Sequence, residues 1–274
     1  MNIIEKIVSH KRLEIARRKE QFPIKKLEKS PFFKRQPLSL KNYLLKKDKS
    51  GIIAEIKRKS PSRGDINLNI SVLSTTIGYV EAGASALSVL TDNEFFGGNN
   101  EDLIIARKHN SCPILRKDFI LEEYQIVEAK SIGADAILLI ASILNPSEVA
   151  NLTKFAKSLQ MEVLLEVHSK TELEDYLIDS IDLVGVNNRD LKTFETQLDK
   201  SLGIIELIPT DFVKISESGI TTADDVITLK RAGFDGFLIG EIFMKESNPE
   251  KACRIFIENL NTKIKHQGKT FSNN

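Results

Sequence analysis

Short apolar, β-branched runs recur eight times along this chain of 274 residues, and the segments between them have helical periodicity. Buried strands that alternate with helices form a parallel sheet, because a parallel connection is long enough to hold a helix. No other feature of the sequence restricts the fold as strongly. In chain order the runs are "GIIAEI" from 51, "ALSVL" from 86, "PILRK" from 113, "DAILLI" from 135, "EVLLEV" from 162, "DLVGVN" from 182, "FVKISE" from 212 and "FDGFLIG" from 234.

This repeat predicts an α/β protein of the (β/α)8 TIM-barrel class. Each unit takes roughly 25–30 residues, and eight units fit the ~220 residues that follow the N-terminal region. Three helical segments close on Gly83, Gly133 and Gly233, the residue type that favours a left-handed helix end. A doubly wound sheet is the alternative, but it has fewer strands and usually a Gly-rich first turn, where this chain reads "KRKSPSRG". The barrel is therefore the preferred interpretation.

The first fifty residues do not fit the repeat and predict an N-terminal helical extension that packs on the barrel. In "NIIEKIVSHKRLEIARR", Ile4, Ile7, Val8 and Ile15 lie on one helical stripe. A Pro-punctuated connector and a second short helix in "SLKNYLLK" follow. The expected parts are the extension at 1–50, the catalytic barrel at 51–262 and a polar, frayed tail at 263–274.

Composition excludes several classes of function. Lys and Arg total 39 against 38 Asp and Glu, so no overall field attracts nucleic acid, and the basic N-terminal region is interpreted as a solvated helix face. No apolar stretch approaches a membrane span, and charges interrupt the N-terminus where a signal peptide is apolar. Two isolated cysteines and four scattered histidines show no metal-ligand spacing. We expect a cytoplasmic protein that binds no metal, nucleic acid or membrane. We also expect it to be a monomer, with a homodimer as the alternative.

Charged side chains at the carboxyl ends of the strands predict the site of chemistry. In a TIM barrel the active site lies at that end, and an inward-facing charge there is costly unless it is paired or functional. Strand one ends in Glu55 and Lys57, which share a side; an internal salt bridge that closes the mouth is the alternative to a catalytic role. Strand three directs Lys117 inward and Arg116 outward. Strand five ends in Glu166, whose pKa we expect burial to raise toward the range of a general acid or base.

The last three strands add polar groups to this end of the barrel. Strand six ends in Asn187, a neutral hydrogen-bonding group, and Arg189, a cation. Strands seven and eight are followed by Gly219 and Gly240, whose backbone amides suit a phosphate, and Ser218 adds a hydroxyl. Together with the residues above, these groups predict a charged cup over an apolar barrel.

Four further residues near the strand ends receive lesser roles. Ser60 lies in the turn "SPS" after strand one, which suits a loop that contacts an anion. Glu241 is expected to contribute its backbone N–H, with its carboxylate directed away from an anion. His168 is interpreted as loop structure and Asn188 as part of a capping turn.

The chain resembles the indole-3-glycerol phosphate synthase family in eight ordered blocks between residues 1 and 260. The blocks are "IIAEIKRKSPSRGDI", "LSVLTDNEFFGG", "PILRKDFI", "DAILLIASIL", "LLEVHS", "GVNNRDLKTF", "ISESGI" and "LIGEIFM". The resemblance implies a carboxy-lyase of tryptophan biosynthesis with no cofactor. Its small-molecule substrate, a phosphosugar joined to anthranilate, is 1-(2-carboxyphenylamino)-1-deoxyribulose 5-phosphate. The enzyme closes the pyrrole ring of this substrate and releases CO₂ and water, which yields indole-3-glycerol phosphate.

The same resemblance implies roles for individual residues. Lys117 is the general acid at the ribulose carbonyl, and Glu166 takes protons in the later steps while Asn187 holds it or the substrate hydroxyls. Lys57 contacts the anionic substrate and donates a proton during dehydration, with its charge state set by Glu55; which lysine acts in which step stays open. The expected substrate-binding residues are Phe96, Leu138 and Leu191 for the aromatic ring, Ser218, Gly219, Gly240 and Glu241 for the phosphate, and Ser60, Arg189 and Glu217 elsewhere in the site.

Two other functions stay open on the sequence alone. Another phosphosugar reaction on the same barrel, such as the isomerase that precedes this step, needs one acid and one base, so the pair Lys57 and Lys117 together with Glu166 argues against it. A barrel that binds phosphate without catalysis would bind substrate without turnover.

Overall fold

Each of the eight apolar runs forms a strand, and the strands close into a barrel in which every neighbouring pair is parallel. The predicted (β/α)8 fold class is confirmed. The computed structural model describes residues 2–190 and 193–270. The barrel strands are β1 (Ile52–Ile56), β2 (Ala86–Leu90), β3 (Ile114–Lys117), β4 (Ala136–Ile140), β5 (Glu162–Val167), β6 (Leu183–Asn187), β7 (Val213–Glu217) and β8 (Gly236–Ile239).

Helices occupy the connections between the strands and the region before the first strand. Gly133 and Gly233 end two of them with φ values of 97° and 108°, as the sequence predicts. A short antiparallel hairpin, which pairs Lys59–Ser60 with Gly64–Asp65, follows β1. The helices are α1 (Ile3–Gln21), α2 (Ile24–Leu27), α3 (Leu40–Leu44), α4 (Val72–Glu81), α5 (Asn100–His109), α6 (Glu123–Ile132), α7 (Pro146–Ser158), α8 (Lys170–Tyr176), α9 (Asp199–Ile204), α10 (Ala223–Ala232), α11 (Glu241–Met244) and α12 (Pro249–Thr270).

The side chains of each strand alternate between two apolar layers. Ile53, Leu115, Leu164 and Leu238 belong to the cluster that fills the barrel interior. Their neighbours along the strands join the larger cluster between the sheet and the surrounding helices. Because both faces are covered, the strands read as continuous apolar runs. A charged residue at the end of an inward-facing row therefore enters the mouth of the barrel.

The N-terminal helix α1 crosses that mouth. Asn2 and Glu5 cap its first turn reciprocally. Farther along, Ile7 joins the barrel-interior cluster, whereas Ile15 packs against Tyr124 of α6. The predicted N-terminal helix is present, and two isoleucines of its expected stripe are buried, but one residue departs from the expectation of a solvated basic face. Lys11 is buried between the two isoleucines, so the basic face of this helix is not wholly solvated.

The last helix continues past the boundary expected at residue 262. It packs against α4 and α10 and ends at Thr270, with residues 261–266 exposed. The division of the chain into three parts stays a prediction. Within the described ranges, no helix is both long and apolar enough to cross a bilayer. The same residues contain no group of three His, Cys, Asp or Glu side chains arranged to hold a metal ion.

Candidate active site

Lys117 is the central charge at the carboxyl end of the barrel. It ends β3, and its Nζ lies 2.6 Å from Glu166 Oε2 on β5 and 3.0 Å from Glu217 Oε2 on β7. Its side chain is 13% exposed, while those of the two glutamates are 4% and 1% exposed. Alternation along β3 directs Lys117 into the mouth. Arg116 instead lies between sheet and helices, where it is buried and paired with Glu128 and Asp118.

Glu55 and Lys57 form the second charged pair of the mouth. Lys57 Nζ donates a hydrogen bond to Glu55 Oε1 at 2.8 Å, and Ser88 Oγ donates one to Glu55 Oε2 at 3.2 Å. The salt bridge that the sequence analysis considered is therefore present. It does not exclude a role in binding, because Lys57 remains 19% exposed and lines the same cleft as Lys117.

Glu217 reaches Lys117 because β6 leaves space beside it. Gly185 is the neighbour of Glu166 on that strand, and a Cβ at this position would overlap the Glu217 carboxylate. Oε1 of Glu217 is buried without a hydrogen-bond partner among the described residues. A buried carboxylate oxygen without a hydrogen-bond donor is unfavourable. Because buried polar atoms normally have partners, its presence marks the carboxyl end of the barrel as a candidate functional site.

The two glutamates beside Lys117 have opposite pKa shifts. For Glu166, burial raises the pKa, but Lys117 and His168 outweigh it, so the net pKa lies below the usual range. The expected rise in the pKa of Glu166 is therefore wrong, because the cation lies closer than the sequence can show. For Glu217, burial and the adjacent Glu166 carboxylate outweigh Lys117 and raise the pKa. Lys117 itself is desolvated, which lowers its pKa, yet Glu166, Glu217 and Glu55 reverse this and raise it.

One end of the cleft is apolar. The cleft has an empty volume of about 960 Å³, and Phe96 and Leu138 line it as expected. The Phe96 and Phe119 rings lie 5.8 Å apart between centroids. Wall residues that the sequence analysis did not assign to the site are Ile3, Ile4 and Ile7 of α1, together with Pro61, Ser62, Leu90, Asp118, Phe119, Ile140, Phe194 and Leu238.

The other end of the cleft is polar and lies beyond β7 and β8. A smaller cavity of about 360 Å³ is lined there by Ser218, Gly219, Gly240, Lys57 and Arg189. Ser218 and Gly219 both have left-handed backbones, with φ values of 67° and 77°. Such consecutive turns bring backbone amides toward one concave surface, which is how proteins accommodate anions.

Glu241 directs its carboxylate at two arginines. Oε2 accepts a hydrogen bond from Arg189 Nη2 at 3.0 Å, and Oε1 lies 2.9 Å from Arg63 Nε. Arg189 also donates from Nη1 to Ser62 Oγ at 3.2 Å. These bonds tie the hairpin after β1 to the ends of β6 and β8 across the polar cavity.

Two residues given structural interpretations have well-defined positions. Asn188 is fully buried, and its amide nitrogen donates to Ser216 Oγ and to the carbonyl oxygens of Glu217 and Ser218, each at 3.0 Å. It therefore supports the backbone at the end of β7. His168 lies 3.4 Å from Glu166 Oε1, and burial, which lowers its pKa, is outweighed by Glu172 and Glu166, which raise it.

Every predicted site residue in the described ranges lines one of these two adjoining cavities. Asn187 is among them, and its Nδ2 donates to Glu166 Oε1 at 3.1 Å. Leu191 is the exception, because it lies outside the described residues. The missed wall residues on α1 had a sequence signal, the apolar stripe, but alternation within the strands does not reveal which end of the barrel a separate helix covers.

Comparison with known proteins gives one consistent family. The family model described as indole-3-glycerol phosphate synthase matches residues 4–256. The indole-3-glycerol phosphate synthase of Bacteroides thetaiotaomicron is 44% identical over 257 residues, covering 94% of this chain and 98% of the relative. That of Prochlorococcus marinus is 46% identical over 263 residues, covering 92% and 88%. A solved thiamine phosphate pyrophosphorylase from Pyrococcus furiosus shares the fold, with a TM-score of 0.59 at 16% identity over 82% of this chain and 98% of that one.

Proposed function

The chain belongs to the indole-3-glycerol phosphate synthase family, and on that basis we propose which residues perform each step of the reaction. The protein is a carboxy-lyase of tryptophan biosynthesis that converts 1-(2-carboxyphenylamino)-1-deoxyribulose 5-phosphate into indole-3-glycerol phosphate, CO₂ and water. Membership of this family sets aside the isomerase and the non-catalytic barrel.

The observation that carries the proposal is the order of chemical character along the cleft. An apolar wall lies at one end and a polar cavity at the other; Lys117 lines the larger cavity, and Lys57 lines both. The substrate has the same order, with a benzoate ring, then the reacting carbons, then a phosphate. This match assigns the ring to Phe96 and Leu138 and the phosphate to the polar cavity.

Lys117 is the acid of ring closure. The aryl carbon attacks the ribulose carbonyl carbon, a C–C bond forms, and the carbonyl oxygen takes a proton from Lys117 to become a hydroxyl. The raised pKa of Lys117 keeps it charged until a developing alkoxide is present. Glu166 and Glu217 hold the ammonium from two sides, so its direction is set before substrate binds. Loss of CO₂ then restores the aromaticity of the ring.

Lys57 and Glu166 perform the dehydration. The remaining hydroxyl leaves as water after protonation by Lys57, while Glu166 removes a proton from the adjacent carbon to form the double bond of the indole. The lowered pKa of Glu166 keeps it in the ionised form that acts as the base, although it also makes that base a weaker one. Glu55 orients Lys57 through their 2.8 Å contact, and Asn187 orients Glu166. Two protons enter and one leaves, which balances the loss of a carboxylate as neutral CO₂.

The phosphate binds in the polar cavity at the ends of β7 and β8. The Ser218 hydroxyl and the backbone amides of Gly219 and Gly240 supply hydrogen bonds, and Arg189 supplies positive charge. Ser60, across the cleft, contacts the substrate chain from the hairpin after β1. We place the protein in the cytoplasm, because both cysteines are buried free thiols, as expected in a reducing compartment.

Product fluorescence tests the assignment directly, because the chain contains no Trp and the protein background is low. Incubation with the carboxyphenylamino substrate is expected to produce indole fluorescence. Lys117→Met removes the acid without removing volume and is expected to lower kcat by about 10³-fold, within the range of general-acid effects, while substrate still binds. Lys157→Met is the control, since Lys157 pairs with Asp182 on the surface, where its side chain is 40% exposed.

Two results contradict the proposed roles. A Lys117→Met enzyme with turnover like that of the wild type refutes Lys117 as the acid. A Glu166→Gln enzyme that loses affinity but keeps its rate moves Glu166 from catalysis to binding.

A further inference from the structure

Lys11 of the N-terminal helix is a buried cation that the reaction as proposed does not use. Its side chain is 1% exposed, and its Nζ lies 2.9 Å from Asp92 Oδ2 and 2.9 Å from Asp118 Oδ1. Glu14, one turn further along α1, lies 2.8 Å away. A fully desolvated lysine between two buried aspartates is expensive to assemble, so its location needs a reason.

The two aspartates begin two different loops at the mouth of the barrel. Asp118 directly follows Lys117, the proposed acid, and its Oδ1 accepts the backbone N–H of Phe119 at 2.8 Å. Asp92 begins the loop after β2, and its Oδ1 accepts the backbone N–H of Phe95 at 2.8 Å. Each carboxylate therefore fixes the first turn of its own loop. The single ammonium of Lys11 joins the two loops to each other and to α1.

Both loops contribute directly to the apolar end of the cleft. Phe96 follows Phe95 in the first loop, Phe119 follows Asp118 in the second, and the centroids of their rings lie 5.8 Å apart. Ile7, one helical turn before Lys11, completes the same wall from α1. Movement of any of these three elements changes the ring-binding surface, and movement of the loop after β3 also displaces Lys117.

The charges in this cluster are unequally shared. Asp118 has two cations, because Arg116 Nη2 also lies 3.1 Å from its Oδ2. For Asp92, Lys11 is the one cation within ion-pair distance among residues 2–190 and 193–270. Burial lowers the pKa of Lys11, but Asp118, Asp92 and Glu14 outweigh it and raise the pKa, so the ammonium stays charged at neutral pH.

We propose that Lys11 is a positioning residue for catalysis: it clamps the loops after β2 and β3 so that Lys117 and the Phe96–Phe119 wall meet the substrate in register. This inference rests on the proposed role of Lys117. It makes the N-terminal helix part of the active site through a charge as well as through its apolar surface. Catalytic geometry is sensitive to such support, since a displacement of about 1 Å can reduce a rate 10²-fold.

The experiment compares three variants of the full chain. Lys11→Met removes the clamp and leaves Asp92 without a cation. Lys11→Met/Asp92→Asn also removes the clamp but leaves no unpaired charge at position 92, and the amide oxygen of Asn can still accept the Phe95 N–H. Arg107→Met breaks a buried ion pair of the same kind, Arg107–Asp135 at 2.8 Å, at the opposite end of the barrel. For each variant kcat and KM come from product fluorescence and Tm from calorimetry, at a temperature where all are folded.

The clamp predicts that stability and rate separate. Lys11→Met is expected to lose Tm and about 10²-fold in kcat. The double variant is expected to recover much of the Tm while its kcat stays at least about tenfold below that of the wild type. Arg107→Met is expected to lose Tm with kcat unchanged within about twofold, because no cleft residue rests on that pair.

The opposite pattern overturns the proposal. If kcat returns with Tm in the double variant, or if Arg107→Met loses as much kcat as Lys11→Met, then Lys11 only stabilises the fold. Where Lys11→Met does not fold, the double variant decides by the same criterion. A wild-type enzyme without turnover contradicts the proposed function itself, whereas an active wild type with an equally active double variant contradicts the clamp alone.

Discussion

The two ends of the barrel both contain buried charges, but they satisfy them differently. At the amino end, Asp135 precedes β4 and receives four donors: Arg35, the Leu38 N–H at 2.7 Å, Arg107 at 2.8 Å and the Ile114 N–H at 2.7 Å. At the carboxyl end, Glu217 receives one donor, Lys117, and its second oxygen has no partner among the described residues. Asp135 is thus saturated with donors, whereas Glu217 is left incomplete.

This difference suits Asp135 to stabilising the fold and Glu217 to a role in the active site. A carboxylate that accepts hydrogen bonds on both oxygens, as Asp135 does, makes the amino end of the barrel rigid, because any movement breaks several bonds at once. Glu217 shares Lys117 with a second carboxylate and has one oxygen without a donor among the described residues, so it is less well satisfied than Asp135. The carboxyl end of the barrel is therefore less stabilised at Glu217 than the amino end is at Asp135. Active sites commonly give up stability in this way.

Removal of Asp135 is expected to have the largest effect on stability. Asp135→Asn leaves Arg107 buried beside a neutral group and is expected to lower the free energy of unfolding by about 3–5 kcal/mol, as for other broken buried ion pairs. Because the cleft lies at the other end, kcat is expected to stay within about twofold below the unfolding temperature. Urea unfolding and product fluorescence measure the two quantities.

A variant of an exposed ion pair is the control for the stability loss expected in Asp135→Asn. Lys157→Met breaks an exposed pair with Asp182 and is expected to change the free energy of unfolding by less than about 1 kcal/mol. A tenfold loss of kcat in Asp135→Asn would show that the two ends are not independent.

Replacement of the two glutamates beside Lys117 is expected to change stability in opposite directions at pH 8. The pKa of Glu217 is raised in the folded state, so its favourable contribution is present at low pH and is lost as the pH rises through the folded value. Glu217→Gln avoids that loss and is expected to raise Tm at pH 8 by a few degrees, with a smaller gain at pH 5. Its kcat is expected to fall about tenfold, because Lys117 loses one of its two supports.

Glu166→Gln is the matched comparison. The pKa of Glu166 is lowered in the folded state, so its contribution is present above the unfolded pKa and is lost as the pH falls through the folded value. This variant is therefore expected to lower Tm at pH 8, opposite to Glu217→Gln. Calorimetry at the two pH values measures both, and shifts of the same sign would refute the assignment of charge between them.

The smallest expected effect concerns the phosphate end of the mouth. The carboxylate of Glu241 forms ion pairs with Arg189 and Arg63, and Glu241 lines the cavity assigned to the phosphate. Glu241→Ser removes a like charge from the anion site and is expected to lower KM by about two- to fivefold, a change typical of partly exposed ion pairs. Steady-state kinetics at two salt concentrations measure it, with the exposed Glu246→Ser as control. A higher KM in Glu241→Ser would indicate instead that Glu241 orients Arg189 for the phosphate.

The direction of many charged side chains at the mouth of the barrel was predictable, because successive side chains of a strand point to opposite faces. That period directs Lys117 and Glu166 inward and Arg116 outward, as the structure confirms. The contribution of Glu217 as a partner of Lys117 was less accessible. Its only local signal is Gly185, a glycine within a buried strand, which often marks a close approach of another group.

Other features depended on distances between segments far apart in the sequence. The pKa of Glu166 was expected to rise from burial, but its sign follows from a lysine 49 residues away that comes within 2.6 Å. Lys11 appeared to belong to a solvated basic face, since nothing near it in the chain indicates two aspartates 2.9 Å away.

The sequence by itself determined the barrel, the order of its strands and the set of charged residues at their carboxyl ends, because period-two alternation and the parallel repeat are local properties. Only the tertiary structure decided which charges pair, which oxygen stays unpartnered and where the N-terminal helix closes the cleft. Those outcomes depend on Coulomb interactions and desolvation over a few ångströms between distant segments, and such distances exist only after the chain has folded.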